Sequence, residues 1–298
     1  MNGTIWLIAA YSSIAIFIAG IAACIVRIAR LPAHLRWELA PVPHDRAGSS
    51  YGGSYFEVQD WWMKPRERSI IHEIIYMMKE IFLLHTVWKG HRRLWPFSMA
   101  LHGGIYFIFF MALCLAAAAA VDAAGFSSAA AFLEGIAVFL GTIGYLFGLA
   151  GSLSLLVLRA VRRDLRSYSG ISAYLNLIIL LALFATGVSS LVADGDLASQ
   201  IRDFIEAVFR ADSHISLSRA GAAHIGAVLF FLAVLPFTSM RHFAAKFFTF
   251  HSVLWDDSPM DAAAEEKIKK LLGQPVRWSA PHVGSEGSKN WIDIAQGK

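Results

Sequence analysis

Residues 220–247, AGAAHIGAVLFFLAVLPFTSMRHFAAKF, are apolar enough to cross a bilayer yet carry two histidines, His224 and His242, eighteen residues apart. At about 100° per residue that spacing is five whole turns, so an unbroken helix would put both imidazoles on one face. At about 1.5 Å per residue they would stand roughly 27 Å apart, against a hydrocarbon core of about 30 Å. One histidine is thus expected near each side of a membrane. Imidazole inside a bilayer is costly unless it is used. Two uses are open here: hydrogen bonding between helices and ligation of haem iron.

The rest of the chain has the composition of a membrane protein. Of its 298 residues 56% are hydrophobic and 16% charged, with mean hydropathy +0.53, a balance that soluble domains do not have. Cys24 and Cys114 both fall in apolar stretches without a C-x-x-C spacing. That excludes an iron–sulfur cluster held by this chain alone, a covalently attached c-type haem and a disulfide framework. The net charge of +4 is no sign of nucleic-acid binding, because the basic residues sit between apolar stretches and report topology instead.

Spans are expected at about residues 6–26, 95–121, 132–158, 171–191 and 220–245. No basic segment precedes the first, which reads as a retained anchor. The loop 27–93 carries eleven Lys and Arg, and the 3–4 loop carries Arg159, Arg162, Arg163 and Arg166. The 2–3 turn has none, and the 4–5 loop has three against five acids. The positive-inside rule then predicts an all-α bundle of five membrane helices, N-terminus out and C-terminus cytoplasmic. Residues 1–249 form the membrane domain and 250–298 a cytoplasmic tail that docks a partner. Within the 27–93 loop, Ile70, Ile71, Ile74, Ile75, Met78, Ile81 and Phe82 recur helically, predicting a helix on the membrane surface or against a partner. A short amphipathic helix is expected in LASQIRDFIEAVFR. Gly141, Gly144, Gly148 and Gly151 leave a groove for another helix or a flat ring.

Three histidines lie inside spans: His102, His224 and His242. His102 enters about two turns into span 2 from its cytoplasmic end, beside Gly103 and Gly104, and His242 stands at similar depth on span 5. Two imidazoles at one depth on different helices suit the axial positions of a haem b, and the small neighbours leave room for a porphyrin. Arg241 and Arg93 are candidates for its propionates, against ordinary headgroup contact. His34, His44, His72, His85, His91, His251 and His282 fall in cytoplasmic segments and show no zinc-site spacing.

The register His224, Pro236-Phe237-Thr238, His242 resembles the last helix of the gamma subunit of respiratory nitrate reductase, and span 2, a histidine followed by small and apolar residues, resembles that family's histidine helix. The resemblance covers roughly residues 95–247. It implies that His102 and His242 ligate a cytoplasm-side haem b. The family's second histidine on span 2 falls here on Ala112, so the outer partner of His224 departs from the pattern. The alternatives are His214 as second ligand of an outer haem, a methionine such as Met111, or no outer haem with His224 serving a quinone; the first is favoured, giving two haems. The long loop and tail look more like the cytochrome b subunits of membrane heterodisulfide reductase and of sulfate reducers' transmembrane complexes. By that likeness the chain is an electron-transfer subunit of the cytoplasmic membrane in anaerobic respiration, not catalytic alone. It would link (mena)quinone to a cytoplasmic iron–sulfur subunit resembling the heterodisulfide reductase catalytic subunit, with a periplasmic multihaem cytochrome c as a further candidate partner.

Glu134, in FLEGIAVFL, reads as a lone carboxylate in the outer third of span 3. Burial would favour its neutral form, which suits proton exchange with a quinol, against simple snorkelling to the interface. A reading of another class is a transporter or channel with relay histidines, but the spans show no inverted repeat or paired broken helices.

Overall fold

The computed structural model describes residues 3–31, 41–53, 57–60, 63–64, 68–255, 261–277 and 287–297. His34, Arg36, Arg66, Trp278 and His282 lie outside the described residues. The fold is all-α; among the described residues the only β feature is an isolated antiparallel bridge between Pro275 and Asn290. The N-terminal half runs α1 (Gly3–Ala29), α2 (Arg46–Tyr51), α3 (Ile70–Leu83), α4 (His85–Gly90), α5 (Trp95–Ala123) and α6 (Ser127–Val161). There follow α7 (Arg163–Ser167), α8 (Ile171–Ala193), α9 (Leu197–Arg210) and α10 (Arg219–Val234). Beyond a pair of 3-10 turns come α11 (His242–Phe248), α12 (Ala262–Leu272) and α13 (Trp291–Ala295).

Among the described residues five helices are long and apolar enough to cross a membrane: α1, α5, α6, α8, and α10 with its first 3-10 turn. The chain is a multi-pass membrane protein. Its helix boundaries follow local chemistry. Pro96 sits in the first turn of α5, where its missing N–H costs nothing. Gly125 takes φ 89 in the three-residue connection before α6, a conformation most side chains resist. The Ser218 hydroxyl caps α10 by accepting from Gly221 N at 2.8 Å.

By contacts the chain divides into two compact units, Met1–Ala22 with Met77–His242, and Ala23–Tyr76 with Phe243–Lys298; the division falls inside α1, α3 and α11. In the first unit α5 and α6 pack closely. Gly104 approaches the backbone of Gly148, and Gly151 that of Leu101, so closely that a Cβ at either glycine would clash. The glycine row of α6 therefore admits a helix, α5, along its length, and one ring, that of Phe184 from α8, at Gly148. Apolar side chains gain nothing from leaving lipid for one another, so close approach and hydrogen bonds hold such a bundle together. Large apolar residues such as Ile18, Phe109, Phe139 and Ile178 are left exposed on its surface. α1 packs by Trp6 against Phe204, Ile225 and Leu229.

The amphipathic helix expected in the 4–5 loop is α9, and it buries Leu197, Gln200, Phe204 and Ala207. Span 5 is not one helix. α10 ends at Val234, 3-10 turns occupy Leu235–Phe237 and Ser239–Arg241, and Thr238 between them is extended at φ −109, ψ 170. Pro236 is the physical cause: it lacks the N–H an α-helix needs, and its ring clashes with the carbonyl four residues back. The five-turn argument placing His224 and His242 on one helical face therefore does not hold.

α3 carries the apolar stripe expected of it, with Ile70, Ile71, Ile74, Ile75 and Met78 exposed. Its last turn is fixed differently. Tyr106 OH donates to Ile81 O at 2.7 Å and Trp95 Nε1 to Leu83 O at 2.7 Å. The buried Glu80 accepts from both the backbone and the hydroxyl of Thr86, spanning the bend where Leu84 takes φ 49. In the second unit, His251 pairs with Glu73 and stacks on Phe247, and Tyr76, Phe250 and Trp255 pack edge to face around them. α13 opens on a reciprocal capping box between Asn290 and Asp293.

Candidate functional site

His102 lies in the second turn of α5 and His242 opens α11 just after the break in span 5. The structure brings them together: their ring centroids are 6.2 Å apart and their planes cross at 65°. Each ring is tied to a main-chain carbonyl through Nδ1, His102 to Ser98 O at 2.8 Å and His242 to Ser239 O at 3.1 Å. An Nδ1–H bonded to a carbonyl makes Nε2 the lone-pair nitrogen, the orientation that metal-ligating histidines use. Two such nitrogens each about 2 Å from a shared metal ion would put ring centroids roughly 6 Å apart. A crossing angle of 65° is compatible with two rings rotated about a common axis. His102 is half-buried and His242 exposed. A Cβ at Gly103 would meet nothing within 4 Å, so open space adjoins His102.

Two imidazoles face one another here. Among the described residues no group of three or more His, Cys, Asp or Glu side chains could hold an ion. A donor pair without equatorial partners suits the axial positions of a planar macrocycle better than a bare ion, which needs four or more ligands. The pair fits haem b by donor chemistry, spacing and adjoining space. The break in span 5 is what delivers His242, and Asn176 of α8 anchors it by donating from Nδ2 to Ser239 Oγ at 2.6 Å. Arg241 is turned to the Pro236 carbonyl.

His224 is placed quite differently. It is 1% exposed, with Nε2 hydrogen-bonded to Tyr145 OH at 2.7 Å and Nδ1 facing Thr186 Oγ1 at 3.2 Å. Both nitrogens are engaged by side chains. His214 is not brought to it: that ring is 92% exposed and bonded to Asp212 at 2.7 Å. Met111 is buried against Gly141 of α6. Sequence reasoning passed over Tyr145 and Thr186. The signal lay in the glycine row, where Tyr145 is a lone polar ring four residues after Gly141 and three before Gly148, on the buried face of α6.

Glu134 is not a lone carboxylate. Arg202 of α9 donates through Nη1 to Glu134 and through Nη2 to Asp122, the latter at 2.7 Å. The reading of Glu134 as a lone carboxylate therefore does not hold. The same end of the bundle carries a second closed network. Asp194 accepts from Ser190 and Ser218 hydroxyls, and Gln200 accepts from Ser218 N while donating to Asp196. These bonds, led by that from Ser218, hold the Asp194 carboxyl below the usual carboxylate range.

Comparison with family models, with curated proteins and with solved structures finds no significant match.

Proposed function

We propose that this chain is a haem b-binding membrane subunit of a respiratory redox complex, passing electrons between a membrane quinone and an iron–sulfur partner on the cytoplasmic side. The observation that carries the reading is the His102–His242 pair, two imidazoles 6.2 Å apart with both Nδ1 atoms bonded to main-chain carbonyls. Haem b, when bound, supplies a one-electron iron couple. The chain's part is to hold and orient it: His102 and His242 as ligands, the Ser98 and Ser239 carbonyls fixing their tautomer, Gly103 leaving room. One haem per chain is proposed, since His224 has both nitrogens engaged and His214 faces elsewhere. The likeness to nitrate reductase gamma subunits and heterodisulfide reductase cytochromes supports the orientation with this pair toward the cytoplasm, in a bacterial or archaeal cytoplasmic membrane. It also supports the cytoplasmic iron–sulfur partner, which the exposed apolar stripe of α3 and the segment after residue 250 would meet.

A broken membrane helix also occurs in transporters, but the break in span 5 has no counterpart in another of the described spans, so the redox reading is preferred. The visible spectrum of the purified protein tests it. A Soret band that shifts on reduction by dithionite, with about one haem per chain by pyridine haemochrome, is expected; a colourless preparation from cells supplied with haem sinks the proposal.

A further inference from the structure

The buried polar side chains of the bundle include one set that haem binding leaves unexplained. Tyr145, His224 and Thr186 come from α6, α10 and α8 and form a continuous hydrogen-bonded chain, with O–N separations of 2.7 and 3.2 Å. The Thr186 hydroxyl in turn donates to the carbonyls of Ala182 and Leu183. The two ends of this chain meet different surroundings. Tyr145 lines a cavity of about 20 Å³, room for a single water, that leads toward Gly195, Leu197 and Ala198 where α8 gives way to α9. Thr186 is partly exposed on the outer surface of α8, among the exposed Ala182, Ala185 and Ser189. That surface faces lipid in a membrane-spanning bundle.

We propose that Tyr145, His224 and Thr186 form a proton relay between the lipid-facing surface of α8 and the water at the α9 end. The inference rests on the function proposed above and deepens it by assigning the proton route of the quinone reaction. A hydroquinone docked at Thr186 gives up two protons and two electrons. Each electron leaves separately for an iron-centred acceptor. The relay starts from the tautomer in which Nε2–H donates to the phenol oxygen, with the Thr186 hydroxyl turned from the carbonyls to Nδ1. Each proton enters at the Nδ1 lone pair, Nε2 gives its proton to the phenol oxygen, and the tyrosine gives its own to a water in the cavity. The starting tautomer is restored before the next proton. One proton in and one out leaves both residues unchanged apart from the imidazole tautomer and the hydroxyl rotors. An imidazole bonded on both sides is suited to this, because its two nitrogens exchange donor and acceptor roles without moving the ring.

The test uses the haem-loaded protein in lipid nanodiscs and a decyl-substituted benzohydroquinone as donor, with haem reduction followed by stopped flow in H₂O and D₂O. Tyr145→Phe keeps the ring and removes the hydroxyl, and His224→Gln keeps a hydrogen-bonding side chain. Both are expected to retain the haem spectrum and wild-type reduction by dithionite, which brings no proton requirement. Reduction by the hydroquinone should slow roughly 100-fold, the usual contribution of a positioned proton-transfer group, and its solvent isotope effect should change. Wild-type hydroquinone rates in both variants, or slowing with an unchanged isotope effect, overturn the relay and leave the haem assignment standing. A wild type that is colourless, or coloured but not reduced by the hydroquinone, overturns the proposed function and the relay with it.

Discussion

The two histidine environments of this bundle differ in where the ring nitrogens are spent. His102 and His242 each give Nδ1 to a main-chain carbonyl within four residues, and their rings stand opposite one another across 6.2 Å. His224 gives both nitrogens to side chains of other helices and is almost wholly enclosed. The first arrangement fixes each ring from nearby main chain and sets the two rings face to edge. The second closes a polar network inside the protein. Burial alone would rank His224 first as a functional histidine. The hydrogen-bond pattern reverses that order for ligation and leaves proton transfer as the chemistry suited to His224.

The sharpest way to break the contrast is to remove the rings one at a time. His102→Ala and His242→Ala should each abolish haem binding, read by pyridine haemochrome, while the protein still inserts and extracts as a membrane protein. Retention of haem by either variant ends the pairing. His224→Ala should do the opposite: haem content stays at wild type while thermal stability drops. It opens a cavity and strands the Tyr145 hydroxyl, and an unsatisfied buried donor costs about 1–3 kcal/mol. Loss of haem in His224→Ala would erase the distinction between the two sites.

Two smaller effects probe the α9 end, where polar groups are closed on one another. Glu134→Gln removes one arm of the Arg202 bridge and leaves Asp122 as the other. These side chains are partly exposed, so the loss in stability should be below about 1 kcal/mol. Haem content and hydroquinone kinetics should not change; slowed reduction in that variant would restore Glu134 as a proton-exchanging group. The smallest effect is expected from Asp194. Its pKa is lowered by the Ser218 and Ser190 hydroxyls, so its contribution is fully present above the ordinary aspartate value of about 3.9. It is lost as pH falls through the lowered folded-state value. Asp194→Asn should therefore flatten the acid limb of the melting temperature below pH 4 and change little at neutrality.

How far the sequence carried the argument depended on the range of the interaction concerned. The five spans were legible because a membrane helix declares itself within some twenty consecutive residues. The similar depth of His102 and His242 was legible from their places in the spans, while their pairing rested on the family resemblance. What failed was non-local or was a matter of backbone detail. Arg202 lies 68 residues beyond Glu134 in the chain, and nothing near FLEGIAVFL announces it. Tyr145 and His224 are 79 residues apart. Pro236 was visible, but the eighteen-residue periodicity was read straight through it, although a proline in the middle of a span removes the hydrogen bond that the reading required.

The interrupted backbone at residues 235–241 also has a mechanical meaning. A continuous helix behaves as a stiff rod, so a torque applied at one end would arrive at the other. Here the rod is jointed at Thr238, and the Asn176–Ser239 hydrogen bond acts as a fulcrum beside the joint. The joint lies between the packed helix that carries His224 and the short helix that His242 opens. Each imidazole is therefore placed by its own segment of backbone, His224 by the helix before the joint and His242 by the short helix after it.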